Sequence, residues 1–216
     1  MELLTEEREA VAAACRRLAA AGLVRGTSGN VSARTGDLIA VTPTGAVLAT
    51  MTAEDVAVVD EHGDQVDGRL APTSELDLHR SVYARYGSNA VVHTHAPAAT
   101  AVACVADELP CVHYEMLQLG GAVRVAPYAT FGTTDLAESA VNGLAGRTAV
   151  LLANHGAVTH GLTLAAAVNA TELLEWAADV YLRASALGTP RVLGQEELDA
   201  VVATVAQRDY GRTHPA

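Results

Sequence analysis

The stretch Ala90-Val91-Val92-His93-Thr94-His95-Ala96-Pro97 starts as an apolar run and ends in a polar loop. The run at 90–93 is short and rich in valine, which predicts a buried strand. The small residues of 98–106 then predict a helix. The sequence here therefore predicts a strand that leads through a short loop into a helix.

Short apolar runs separated by turns recur along the chain. Further strands are predicted at 31–33, 38–41, 56–59, 123–125, 148–153 and 157–160. Helices are predicted at 3–21, 73–86, 134–144, 164–187 and 195–207. Because the strands cluster and the helices flank them irregularly, we predict a single α/β domain over residues 1–216. Its expected architecture is a three-layer α/β/α fold with a mostly antiparallel or mixed central sheet.

Composition and charge narrow the class of partner. The 216 residues include 25 Asp or Glu and 14 Lys or Arg, for a net charge of −11. An acidic chain without a basic run repels phosphate backbones and anionic lipids, which argues against nucleic acid or a membrane as the main partner. A small-molecule substrate is expected instead.

The three cysteines, Cys15, Cys104 and Cys111, have neither zinc-knuckle nor redox-pair spacing. Each has apolar neighbours, so we expect buried thiols. The acidic start MELLTEEREA lacks the basic and apolar order of a signal segment, and no run is long enough to span a bilayer. These features predict a reduced, cytoplasmic setting.

His93 and His95 are the first candidate metal ligands. Strand alternation places both side chains on one face, with α-carbons about 6 to 7 Å apart. Two imidazoles at that spacing can converge on one zinc ion through bonds of about 2 Å. Polar residues that merely order a loop give the same pattern, so the pair alone leaves both interpretations open.

His155 and Glu75 extend this candidate site. His155 lies in Asn154-His155-Gly156, where a second apolar strand ends at a glycine turn. Glu75 can supply a fourth ligand or a base, although a first-turn residue favoured by the helix dipole is the plainer interpretation. Ser74 and Asp77 stand in capping-box spacing at the predicted start of that helix.

Three small-residue turns offer hydroxyls and backbone N–H groups for an anion. They are Gly26-Thr27-Ser28-Gly29-Asn30, Thr42-Pro43-Thr44-Gly45 and Pro72-Thr73-Ser74, the last at the start of a helix. Oriented amides and a helix N-terminus bind phosphate without Lys or Arg, which suits an acidic protein. Any one of them is commonly just a turn, but their conjunction with the histidines favours a phosphate site.

These ordered motifs, together with Ala126-Pro127-Tyr128-Ala129-Thr130-Phe131-Gly132, resemble the class II aldolase and adducin family, of the L-fuculose-1-phosphate aldolase and L-ribulose-5-phosphate epimerase type. The resemblance runs nearly end to end. It implies one Zn²⁺ per subunit, held by His93, His95, His155 and, in the resting enzyme, Glu75, which becomes the acid/base when substrate displaces it. It also implies that the substrate phosphate is bound by Gly29, Asn30, Thr44, Gly45, Thr73 and Ser74.

The activity that the resemblance implies is reversible cleavage of a ketose 1-phosphate, with L-fuculose 1-phosphate as the expected substrate. The products would be dihydroxyacetone phosphate and L-lactaldehyde, formed through a metal-stabilised enediolate. Tyr114 would be the proton donor to the aldehyde oxygen, and Phe131 and Tyr210 would position the aldehyde. The resemblance further implies a homotetramer in which Tyr114 and Tyr210 reach the site from a neighbouring subunit.

Two alternatives remain open from the sequence. One is a pentulose-phosphate epimerase, a dehydratase or a decarboxylase of the same family, although Glu75 stands where the epimerase branch usually has Asp. The other is a non-catalytic binding module like the adducin head. The complete set of three histidines and Glu75 argues against this module. The remaining histidines, among them His79 on a predicted helix, are assigned no role.

Overall fold

The computed structural model describes residues 3–208, and its centre is a nine-stranded sheet. The strand order is β4-β3-β2-β1-β5-β9-β8-β7-β6, and every neighbouring pair is antiparallel except the parallel pair β7–β8. The strands are β1 Asn30–Thr35, β2 Leu38–Val41, β3 Ala57–Asp60, β4 Gln65–Asp67, β5 Ala90–Thr94, β6 Glu108–Leu109, β7 Val123–Ala126, β8 Ala149–Leu152 and β9 Gly156–Gly161. The prediction of a mostly antiparallel, mixed sheet is confirmed.

Helices cover both faces of the sheet. They are α1 Thr5–Ala20, α2 Leu76–Tyr86, α3 Pro97–Ala103, α4 Thr134–Gly143, α5 Leu164–Leu187 and α6 Gln195–Arg208. Strand alternation separates two cores: Val91 packs with α2 and α4, whereas its neighbour Val92 packs with α1, α3 and α5. Val150 and Leu151 divide in the same way. The result is the predicted three-layer α/β/α arrangement.

The start of α2 differs from the prediction. The helix begins at Leu76, its N-cap is Glu75, and no side chain caps it, so the capping box of Ser74 and Asp77 is wrong. The backbone of the preceding residues is bound elsewhere, because Thr73 N donates to the Thr42 carbonyl at 3.0 Å. Residues 73–76 form a turn before the helix, in which Leu76 N donates to the Thr73 carbonyl at 3.2 Å.

Other differences are smaller. The strands β4 and β6 were not predicted, because each has only two or three residues at a sheet edge. Cys104 is exposed, so the expectation of three buried thiols holds only for Cys15 and Cys111. Within residues 3–208, no helix combines the length and apolarity that crossing a membrane requires.

Candidate active site

The ends of two neighbouring strands bring the three predicted histidines together. His93 lies in β5, His95 follows its end, and β5 pairs antiparallel with β9, so that Thr94 opposes Ala157. The turn from β8 into β9 carries His155, with the preceding Asn154 at φ 55°. Because that turn closes beside the end of β5, His155 faces the other two rings.

The three imidazoles surround one point. His93 Nε2 and His95 Nε2 are 3.0 Å apart, and the ring centroids of the three pairs are 4.8 to 4.9 Å apart. One ring nitrogen from each of His93, His95 and His155 lies within 4.8 Å of the others. Three nitrogens this close could hold one metal ion, which favours the ligand interpretation over polar residues that order a loop.

Burial keeps these rings neutral and ready to donate lone pairs. The pKa of His93 is held well below its usual range, first by burial and then by the nearby His95 and His155. Burial likewise lowers the pKa of His95 and His155. His93 Nδ1 donates to the Ala157 carbonyl at 2.9 Å, so in the neutral ring Nε2 carries the lone pair that faces the cluster.

Glu75 completes the donor set. Its Oε2 lies 3.3 Å from His93 Nε2 and its Oε1 lies 3.6 Å from His155 Nε2. Asn30 Nδ2 donates to Oε2 at 2.8 Å, whereas the buried Oε1 has no hydrogen-bond partner among the described residues. A buried carboxylate oxygen without a donor, facing neutral imidazoles, fits a bound divalent cation.

Two glycines permit this close approach. A Cβ on Gly29, which has φ +93°, would lie 2.8 Å from the His93 carbonyl oxygen. A Cβ on Gly156 would lie 2.3 Å from the Thr94 carbonyl oxygen and 2.9 Å from His95 Cδ2. Any side chain at either position would displace the strand end that carries the histidines.

The three predicted phosphate turns are linked by backbone hydrogen bonds. Pro43 and Pro72 form an isolated bridge, and Thr44 N donates to the Ala71 carbonyl at 3.0 Å. Thr42 Oγ1 accepts from Val31 N at 3.1 Å, next to the first turn. The structure therefore brings the predicted phosphate residues into one region, where Thr44, Gly45 and Ser74 are exposed while Asn30 and Thr73 are buried.

A cavity of about 500 Å³ opens beside these groups. Glu75, His95 and His155 line it, together with Ser74 and Phe131. Phe131 is 67% exposed, which places it at the rim as an open apolar surface. The sequence analysis did not assign a role to Tyr128 or Asn154, which also line this cavity.

The predicted proton donor Tyr114 is not part of this cavity. It begins a short 3₁₀ helix, Tyr114–Leu119, and lines a separate groove against Val201 and Val205 of α6. The His113 ring packs against it at 4.5 Å between centroids. Tyr210 lies outside the described residues. One chain therefore does not bring Tyr114 to Glu75.

His79 is the site residue that the sequence analysis missed. Its ring is completely buried, and its Nε2 lies 2.5 Å from Asn30 Oδ1, the amide that holds Glu75. Its position on α2, four residues after Glu75, was the available signal, because residues at that spacing share a helix face.

Comparisons with known proteins indicate the family to which the chain belongs. The family model described as "Class II Aldolase and Adducin N-terminal domain" matches residues 9–182. The chain is 38% identical over 200 residues to a 5-deoxy-D-ribulose 1-phosphate aldolase of Bacillus thuringiensis, covering 91% of this chain and 94% of the relative. It is 37% identical to the L-fuculose phosphate aldolase of Escherichia coli, covering 87% and 88% of the two chains.

Among solved structures, an L-fuculose 1-phosphate aldolase superposes with a TM-score of 0.88 at 35% identity, covering 93% of this chain and 96% of the other. Its fold and the named relatives point to one enzyme class, whose members depend on a metal. The chain belongs to the class II aldolase and adducin family and is an enzyme of its aldolase type, a carbon–carbon lyase.

Proposed function

We propose that this protein is a zinc-dependent aldolase that cleaves a deoxyketose 1-phosphate to dihydroxyacetone phosphate and a short aldehyde. The observation that carries the proposal is the convergence of three neutral imidazoles and the Glu75 carboxylate at one cavity. A non-catalytic module like the adducin head has no use for such a donor set.

The metal would be held by His93, His95 and His155, with Glu75 as the fourth ligand before substrate binds. Three nitrogens and one carboxylate oxygen suit Zn²⁺, with one ion per subunit. When bound, the ion supplies a Lewis acid that stabilises the negative charge developing on the substrate as the C3–C4 bond breaks.

Glu75 is proposed to move the proton at C3. In the cleavage direction the electron pair of the C3–C4 bond stays with C3, and Glu75 delivers a proton to that carbon to give dihydroxyacetone phosphate. In the condensation direction the same carboxylate removes that proton. The free Oε1, which lacks a hydrogen-bond partner among residues 3–208, is the oxygen suited to this transfer.

The C4 hydroxyl must lose its proton as the aldehyde forms, and Tyr114 is proposed to exchange that proton. Because Tyr114 lines a groove apart from Glu75, the proposal places a neighbouring subunit's Tyr114 at each site, in a homotetramer. Tyr210 of the neighbour is proposed to act beside it and Phe131 to position the aldehyde. Each subunit is proposed to be one domain of residues 1–216, and the setting to be cytoplasmic.

The substrate phosphate is proposed to bind at the three linked turns. Backbone amides and the hydroxyls of Thr44, Thr73 and Ser74 can surround a phosphate without a basic side chain. Gly29, Asn30 and Gly45 complete the proposed contacts. This arrangement explains how a protein of net charge −11 accepts an anionic sugar.

The choice of ketose follows from the shared chemistry of the relatives. Cleavage of 5-deoxyribulose 1-phosphate between C3 and C4 gives acetaldehyde, and cleavage of L-fuculose 1-phosphate gives L-lactaldehyde. Both aldehydes are short and end in a methyl group. The exposed Phe131 and Tyr128 rings at the rim suit such a methyl group, which favours terminally deoxygenated ketose 1-phosphates.

A substrate panel tests the proposal. Zinc-loaded protein is incubated separately with 5-deoxyribulose 1-phosphate, L-fuculose 1-phosphate, L-rhamnulose 1-phosphate and L-ribulose 5-phosphate. Dihydroxyacetone phosphate is followed by a coupled assay, and epimers by chromatography. We expect dihydroxyacetone phosphate from all three ketose 1-phosphates, because each ends in a methyl group, at the highest kcat/KM with the two that appear in the relatives' names. Epimer formation from the pentulose 5-phosphate without dihydroxyacetone phosphate would instead assign the epimerase alternative.

A further inference from the structure

A buried row of polar side chains runs behind the candidate metal site, between β1 and α2. Asn30 and Ser32 come from the strand, and His79 and Tyr83 come from the helix. The row begins at Glu75, which is 8% exposed, and the side chains behind it are at most 5% exposed. Polar groups this deeply buried are costly unless they are bonded to one another.

The spacing of the two elements makes the row continuous. Residues two apart on a strand share a face and lie about 6.6 Å apart along it, and residues four apart on a helix share a face and lie about 6 Å apart. Positions 30 and 32 of β1 therefore interleave with positions 75, 79 and 83. The spatial order is Glu75, Asn30, His79, Ser32 and Tyr83.

The hydrogen bonds of the row have a fixed direction. Asn30 Nδ2 donates to Glu75 Oε2 at 2.8 Å, so the Asn30 amide presents its Oδ1 to His79. An amide oxygen only accepts, and therefore His79 Nε2 carries a proton and donates across 2.5 Å. Burial lowers the pKa of His79 to about 3, so the neutral ring has an acceptor at Nδ1.

The hydrogen bonds at the end of the row away from Glu75 have matching donors and acceptors. Ser32 Oγ lies 2.6 Å from His79 Nδ1, and the serine hydroxyl donates a hydrogen bond to this nitrogen. Tyr83 OH lies 2.5 Å from Ser32 Oγ and donates to it. Each donor along the row faces an acceptor, and the opposite orientation of the Asn30 amide would place two oxygens, Oδ1 and Glu75 Oε2, against each other.

We propose that His79 is a positioning residue which, with Ser32 and Tyr83, fixes the Asn30 amide and thereby holds the Glu75 carboxylate in its working orientation. One oxygen of Glu75 is then occupied by Asn30, and the other stays free toward His155. The role of the row in proton transfer rests on the proposed function of Glu75. The role of the row in orienting the Glu75 carboxylate does not depend on that proposed function.

Paired substitutions at His79 test this inference. His79→Leu removes both hydrogen bonds of the ring, whereas His79→Gln keeps an amide donor for Asn30 and an amide oxygen for Ser32. Ser32→Ala, a smaller change, removes the donor to His79 Nδ1 and the acceptor of the Tyr83 hydroxyl, and it serves where the leucine variant does not fold. His160→Leu is the matched control, because His160 is also bonded to a serine, Ser88, at 2.7 Å but has no link to Glu75.

Two quantities are measured for each variant. The first is the exchange of the C3 proton of dihydroxyacetone phosphate with D₂O, followed by NMR at saturating zinc without aldehyde. The second is zinc affinity, measured by competition with a chromophoric chelator. Loss of a group that orients a metal-binding side chain typically costs about 10- to 100-fold in metal affinity or activity.

We expect His79→Leu to lose about 10- to 100-fold in exchange rate at saturating substrate, with KM changed less than about threefold, and to bind zinc more weakly. His79→Gln should recover most of the exchange rate and of the zinc affinity. His160→Leu should match the wild type in exchange rate and zinc affinity. Wild-type values in His79→Leu or Ser32→Ala, or a glutamine variant as impaired as the leucine variant, would overturn the inference. Absence of C3 proton exchange in the wild type would contradict the proposed function instead. The zinc affinities of the variants, compared with that of the wild type, would then still decide the positioning role.

Discussion

The two oxygens of the Glu75 carboxylate have different surroundings. Oε2 accepts from Asn30 at 2.8 Å, whereas Oε1 is buried, lies 3.6 Å from His155 Nε2 and accepts no hydrogen bond from residues 3–208. This asymmetry suits the two roles proposed for Glu75, a metal ligand at rest and a base during the reaction. The chemistry of the site therefore depends most on this one side chain.

The first prediction concerns Glu75→Gln. The amide keeps the size of the side chain but accepts no proton from carbon, so the rate of aldol cleavage should fall by about 10²- to 10⁴-fold. Zinc should remain bound through the three histidines at one ion per chain, measured by metal analysis. The control is Asp77→Asn, which removes the same charge two residues later on an exposed position. Full activity of Glu75→Gln would refute its role.

The second prediction concerns pH. His79 has a pKa of about 3 in the folded protein, lowered chiefly by burial and also by His93, against 6.5 ordinarily. Below pH 6.5 the unfolded chain takes up a proton that the folded protein does not, so acid favours unfolding. This group should lower the free energy of unfolding by about 1.4 kcal/mol per pH unit between those two values.

Urea unfolding of the metal-free protein at several pH values between 6.5 and 4.5, at one protein concentration, measures this effect. The free energy of unfolding should fall less steeply with decreasing pH in His79→Gln than in the wild type, because the variant lacks the buried imidazole. Equal slopes in the two proteins would show that His79 is not held neutral by the fold.

At the residue level, the sequence predicted the candidate site best where its functional residues lie close together in the chain. His93 and His95 are two apart where one strand ends, and His155 follows the end of another strand, so their convergence was predictable. His79 was not, because its significance depends on packing against Asn30 and Ser32, which lie far away in sequence. Its spacing from Glu75 indicated a shared helix face, but it did not indicate the contact with Asn30.

At the scale of the elements, the candidate metal ligands lie where strands of the sheet end. Strand predictions agreed with the structure where the runs were apolar, as at Leu38–Val41, and the long helix Leu164–Leu187 has its predicted bounds. The start of α2 was misplaced because residues 73–76 form a turn that is joined to the distant Thr42 by the bond from Thr73 N to the Thr42 carbonyl. Local sequence cannot report such a bond.

The third prediction concerns the turn between β8 and β9. Gly156→Ala would place its Cβ 2.3 Å from the Thr94 carbonyl oxygen, beside His95. We expect a destabilisation of about 1–3 kcal/mol, as for an overpacked core, together with weaker zinc binding. Urea unfolding and chelator competition measure the two effects.

Gly143→Ala is the matched control for this variant. Its Cβ would lie 2.4 Å from Val150 Cγ2, where α4 packs on β8. It should destabilise the protein to a similar degree without changing zinc affinity. Wild-type zinc affinity in Gly156→Ala would contradict the proposed dependence of the metal site on this turn.

At the scale of the whole molecule, Glu75 and Tyr114 lie in different cavities of one chain. If each active site combines Glu75 of one subunit with Tyr114 of the next, two inactive variants should complement each other. In mixed oligomers of Glu75→Gln and Tyr114→Phe at equal amounts, about a quarter of the sites would contain both intact residues. This fourth prediction is measured as cleavage activity after co-expression.

Co-expression of Glu75→Gln with the double variant Glu75→Gln, Tyr114→Phe is the control, because neither chain supplies an intact base. It should show no recovery. Activity of the mixed variants no higher than that of either variant alone would contradict a site shared between subunits.

A metal ion held by His93, His95 and His155 is proposed to be required for cleavage of the C3–C4 bond. The most direct measurement is the release of dihydroxyacetone phosphate from 5-deoxyribulose 1-phosphate and from L-fuculose 1-phosphate in three states of one preparation. These states are zinc-loaded protein, protein stripped by a chelator with its metal content verified, and stripped protein after zinc is restored. We predict cleavage, its loss and its recovery in that order. Undiminished cleavage by verified metal-free protein would contradict the claim.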